Sequence, residues 1–184
     1  MSNETNPLVR SERSNRWFRA INEDDVLTVW DMIREGFDLE TTNIHAQTAI
    51  FIAACRQRIG LVKILHESGA NIHVTEPRGQ TLLIVAFLGK SLPMIEWALA
   101  AGVSPSRCNK NGDTPLHYAA TLGYASVVAE LLACGADPAA VNSKGTTVLS
   151  TCKPNCLPVV EAAISAQALS HATQSVSAGS AQRM

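Results

Sequence analysis

Two glycine series with a common interval run through this chain. Gly36, Gly69, Gly102 and Gly135 stand 33 residues apart, as do Gly79, Gly112 and Gly145, with Ala46 one step earlier. Thr48, Thr81, Thr114 and Thr147 keep the same period. Three coincident series identify an internal repeat. A repeat constrains the fold more tightly than any single motif, because each copy buries its apolar face only against its neighbours.

The clearest copy, residues 112–138, reads GDTPLHYAATLGYASVVAELLACGADP. From Thr114 to Leu122, Leu116, Ala119 and Ala120 fall on one side at helical spacing. Thr114 suits the N-cap and Pro115 the first turn, where no amide donor is needed. Gly123 ends this helix. A second helix carries Val127, Val128, Leu131 and Leu132 as its apolar stripe and stops at Gly135 in a left-handed conformation. Turn-rich links, Asn109-Lys110-Asn111-Gly112 and Asn142-Ser143-Lys144-Gly145, lead into the following copies. Helices this short are unstable alone, so each pair depends on the next.

Asp-Thr-Pro-Leu-His followed by Ala-Ala, and Leu-Leu followed by Gly-Ala-Asp, resemble the ankyrin repeat. The resemblance covers roughly residues 13 to 164. It implies an all-α solenoid of about five helix–turn–helix repeats, starting near 13, 46, 79, 112 and 145, with short β-hairpin fingers. The end copies depart from the pattern. The first has Trp17-Phe18 in place of Leu-His, and the last has Cys-Lys-Pro-Asn-Cys-Leu-Pro from Cys152, whose prolines shorten its first helix. Terminal copies that cover an open end of the core are expected to differ. The resulting organisation is a flexible segment over 1–12, a repeat domain over 13–165, and a disordered Ser/Ala/Gln-rich tail over 166–184.

Composition narrows the partners. A net charge of −1 gives no electrostatic reason to expect nucleic acid or an anionic membrane. The first twenty residues have no apolar core of the kind a signal peptide needs, and the run Leu82–Leu88 is too short to span a bilayer. Five scattered cysteines form no disulfide framework and point to a reducing compartment, the cytoplasm.

Nothing in the sequence offers catalysis, a cofactor site or a metal site. His117 lacks a supporting carboxylate, serine or cysteine, and the resemblance gives it a structural role, bonding the turns. Cys152 and Cys156 lack a second ligand pair for zinc, and register places Cys152 at the small, buried Ala119 position. Arg10, Arg13, Arg16 and Arg19 recur every third residue, as on the solvated face of an N-terminal cap. Trp17 falls with Leu83 and Leu116, in the core.

In ankyrin proteins the inner helices and finger tips carry partner contacts, and register carries these positions to Arg19, Ile52, Arg56, Arg78, Val85, Leu88, Lys110, Asp113, Tyr118 and Leu122. Ile52, Val85, Leu88, Tyr118 and Leu122 are expected to form an apolar strip bordered by Arg19, Arg56, Arg78 and Asp113, with the composition of a binding hot spot. The expected function is non-enzymatic binding of a protein partner by a chain that is monomeric when free. Small free-standing members of the family include bacterial effectors, which act in a host cytosol, and immunity proteins that neutralise a toxin. Two alternatives belong to other classes: a structural protein that self-associates through the strip, and a cysteine-dependent hydrolase built on Cys55.

Overall fold

The threonine and glycine series mark helix ends for identifiable reasons. In the computed structural model, backbone is described for residues 7–181 and side chains for residues 11–169. Thr48, Thr81, Thr114 and Thr147 are N-caps in extended backbone. The hydroxyls of Thr81, Thr114 and Thr147 accept from the backbone N–H three residues on, satisfying a donor that has no partner within the helix. The Thr48 hydroxyl is buried without a partner. At the other end, the amides of Gly69 and Ala70 donate to the carbonyls of His66 and Leu65, and those of Gly135 and Ala136 to Leu132 and Leu131. These crossed bonds form a Schellman motif, and the same pair occurs at Gly36 and Gly102.

The chain divides into two compact units, residues 1–104 and 105–184. The N-terminal unit holds α1 (Pro7–Glu23), α2 (Val26–Arg34), α3 (Ala49–Cys55), α4 (Ile59–Glu67), α5 (Leu82–Leu88) and α6 (Leu92–Ala100). Links of two or three residues fold α1 onto α2, α3 onto α4 and α5 onto α6, and α3 packs against both α1 and α5. The inner helices are therefore enclosed on several sides. Every residue from Ala49 to Ala54 and from Leu82 to Phe87 is buried. Trp17 is fully buried and stacks against Phe37 at 4.9 Å between ring centroids.

The C-terminal unit holds α7 (Pro115–Leu122), α8 (Ala125–Ala133), α9 (Val148–Thr151) and α10 (Leu157–Ala181). α7 packs against α8 and α9, and α10 against α8 and α9. Pro154 limits α9 to one turn, since the residue before a proline is driven out of helical backbone. Cys152 is thus the extended C-cap of α9, and Cys156, rather than Cys152, takes the buried position. α10 runs past Ser165 through most of the segment expected as a disordered tail. Two sequence features favour this: position 168, next in the stop series, is Ala168 rather than glycine, and the Ala/Gln-rich composition suits a helix. α1 likewise begins at Pro7, inside the segment expected to be flexible.

The fingers contain only isolated antiparallel bridges among the described residues, Thr42 with Thr48, Thr75 with Thr81 and Val141 with Thr147. Each finger turns through a left-handed residue at the same repeat position: Ala46 (φ +54°), Gly79 (φ +76°), Gly112 (φ +75°) and Gly145 (φ +76°). A third left-handed series lies between paired helices, at Asp24, Gln57, Lys90 and Gly123, where only the last copy is glycine. No described helix is long and apolar enough to cross a membrane.

Candidate partner-binding surface

One acceptor per repeat builds the finger tips. The side-chain oxygen of Asn43 accepts from the amides of His45 (2.9 Å) and Gln47 (3.0 Å). Glu76 does the same for Arg78 and Gln80, Asn109 for Asn111 and Asp113, and Asn142 for Lys144 and Thr146. A short side-chain acceptor here closes the turn on its own backbone. These four residues also stand 33 apart, an Asn/Glu series visible in the sequence beside the glycines but overlooked there.

In the N-terminal unit, Arg19, Arg56, Arg78 and Leu88 are exposed. Ile52 and Val85 are not: they keep only 7% and 4% of their surface. The expected apolar strip is therefore broken in this unit, because the inner helices meet neighbours on enough sides to enclose that position. Cavities of about 530 and about 360 Å³ flank the finger Asn43–Gln47. Both are lined by His45, Gln47 and Cys55. Pro77 and Arg78 wall the larger, and Asn22 and Arg56 the smaller. The finger tip carries Ile44, 95% exposed.

Cys55 could act as a nucleophile only as a thiolate. Burial, reinforced by the charge of Glu76 and opposed by Arg56, pushes its thiol up to about 11. No hydrogen bond joins it to His45 among the described residues, although both line the same cavities. Its environment acts against nucleophilic chemistry. Burial also pushes Cys152 up to about 11 and raises Cys156, and all five cysteines are free.

In the C-terminal unit, Lys110 is exposed, and Asp113, Tyr118 and Leu122 are half-buried. Two of these are already engaged. The Asn109 amide donates to the Tyr118 hydroxyl (3.1 Å) and to one Asp113 oxygen (3.4 Å), while the Asn142 amide donates to the other (2.7 Å). Asp113 therefore ties one finger to the next instead of standing as a free rim charge. Desolvation, then the Asp113 charge, raises the Tyr118 phenol despite the bond from Asn109.

His117 is buried and completes the cap of α7. Its Nδ1 accepts from the Thr114 amide (3.3 Å), which leaves Nε2–H to donate to the carbonyl of Thr146 (3.2 Å). In the arginine series, Arg13 pairs with Glu35 at 3.3 Å and lies over Phe37, Arg16 and Arg19 are exposed, and the Arg10 side chain lies outside the described residues. Among the described residues no three metal-ligating side chains converge.

A family model described as ankyrin repeats (3 copies) matches residues 50–142 and again residues 85–171. A search of curated proteins gives no match.

Proposed function

Because the chain belongs to the ankyrin-repeat family, whose repeats are generally protein–protein interaction modules, we propose that it binds a protein partner without chemistry of its own. The contacts are the finger tips and the inner helices: the exposed Arg19, Arg56, Arg78 and Leu88 in the N-terminal unit, and the exposed Lys110 with the half-buried Tyr118 and Leu122 in the C-terminal unit. Ile52 and Val85 serve the core. One observation carries this reading. Arg56 and Arg78 stand exposed at open cavities, neither guanidinium has an ion-pair partner among the described residues, and Leu88 is exposed in the same unit. Exposed arginine beside apolar surface is a common anchor of protein interfaces.

The free protein is a monomer in this reading, and its five free thiols accord with a reducing cytoplasm. The partner is a host protein if the chain is an effector, and a toxin if it is an immunity protein. Affinity capture from the native cell with wild type and with Arg56→Glu/Leu88→Ala tests the proposal. A protein retained by wild type and lost by a variant of unchanged melting temperature supports it. A concentration-dependent dimer by sedimentation, with the same residues buried between copies, would replace it with self-association.

A further inference from the structure

We propose that the groove astride the finger Asn43–Gln47 receives an acidic, extended segment of the partner protein, carrying an apolar side chain among its carboxylates. This deepens the reading of the chain as a protein-binding module and rests on it.

Local charge at the groove opposes that of the whole. The chain carries a net charge of −1, yet the groove places Arg56 at one cavity and Arg78 at the other. Arg19 is exposed one helical turn before Asn22, which lines the smaller cavity, with the exposed Glu23 on the same helix face. Glu76 lines the larger cavity beside Arg78 and offsets its charge there, while Asp24 pairs with Arg58 at 3.2 Å. Arg56 is the charged residue in the lining of the smaller cavity, so the excess across the groove is positive, and guanidinium groups favour bidentate carboxylates.

Shape and apolar surface set the rest. The two cavities share His45, Gln47 and Cys55, so they join across the finger, and each is large enough for side chains rather than for a helix. An extended segment crossing the finger reaches both. Ile44 and Pro77 are exposed at the finger tips and supply the contact for an apolar residue. The finger's turn amides are already bonded to Asn43, so recognition falls to side chains and not to strand pairing.

The test uses the full chain, isotopically labelled, and two synthetic twelve-residue peptides. One alternates Glu with Leu and Ala, and the other has Lys in place of every Glu. The acidic peptide is expected to shift the amide resonances of residues 43–47, 55–56 and 76–80. Its affinity should fall at least tenfold in Arg56→Glu/Arg78→Glu. Because a charge reversal can perturb folding, the wild type is also titrated from about 50 to about 500 mM salt, where screening should weaken binding progressively. Shifts from the basic peptide at the same amides, or indifference to both the reversal and salt, overturn the acidic class. If neither peptide moves these amides, the acidic segment is also wrong, while the module reading is decided separately by the capture experiment.

Discussion

The side-chain amide of Gln57 occupies the space that a β-carbon on Gly89 would need. From there its nitrogen donates to the carbonyls of Ala54 (3.0 Å) and Val85 (3.4 Å), so the turn of one repeat braces the inner helix of the next. The amide is only half satisfied, because its oxygen is buried without a partner. Gly89 has ordinary helical backbone (φ −79°) and tolerates a side chain once Gln57 is gone. Gly89→Ala is expected to cost about 1 kcal/mol in the wild type, from the lost hydrogen bonds. In a Gln57→Ala background the same change should stabilise by about 0.5–1 kcal/mol, through unfolded-state entropy. A urea double-mutant cycle measures the difference, and equal effects in the two backgrounds would show that the residues do not share space.

Ala46 holds the left-handed finger position that its three counterparts give to glycine. Ala46→Gly removes strain of about 1–2 kcal/mol and loses part of it to a more flexible unfolded chain, for a net gain of about 0.5–1 kcal/mol. The reverse changes should differ from each other. A β-carbon on Gly145 meets open space, whereas one on Gly112 would lie 3.0 Å from the Asn142 Cα. Gly112→Ala should therefore lower the denaturation midpoint more than Gly145→Ala. A larger loss at Gly145 would contradict the contact between these fingers.

Much of this was legible because it depends on local backbone chemistry. Threonine caps, glycine stops and left-handed turns act within a few residues, so their period in the sequence is their period in space. Burial at the Tyr118 register position was not legible. It is Arg19, Ile52, Val85 or Tyr118 in different repeats, and it is exposed, buried, buried and half-buried in turn. Register fixes the place of a residue along a helix but not whether it sees solvent. The bond from Asn109 to Tyr118 was hidden for the same reason, since it joins a turn to a helix face nine residues away.

Tyr118 is consequently a support for the finger as well as a contact. Tyr118→Phe should cost about 0.5–1.5 kcal/mol by removing the bond from Asn109, and Tyr118→Ala about 2 kcal/mol or more. Thermal denaturation of both variants checks this, and a loss below that of a typical surface substitution would mean the hydroxyl does not hold Asn109.

Raised thiols make the fold sensitive to alkali. The ordinary value for Cys55 and Cys152 is 9.0, and in the folded chain both are pushed up to about 11. Folding thus favours the neutral thiol. This contribution is fully present below pH about 9 and is lost as pH rises towards about 11, because the unfolded state releases its protons first. The urea midpoint should fall across that window, and Cys55→Ser/Cys152→Ser should flatten the fall. An unchanged slope in the double variant would assign the alkaline limb elsewhere.

Truncation after Ser165 tests the proposed end of the folded domain. The continuation of α10 has Leu169 69% exposed, and Gln167 reaches Asp137 through an exposed bond of 3.2 Å. Removing residues 166–184 should leave the melting temperature almost unchanged, since exposed polar contacts contribute little. A fall of several degrees would show that this stretch belongs to the domain.

The cross-links of the last two fingers bear on how they come apart. Asp113 accepts from Asn142, and the Ser143 amide donates to the Asn111 carbonyl at 2.8 Å. Neither finger can lift from its place without breaking bonds to the other, so residues 109–113 and 142–146 form one opening element. Their protected amides should exchange with solvent deuterium at a shared rate, set by a single local fluctuation. A ligand that grips one of these tips thereby slows the breathing of both.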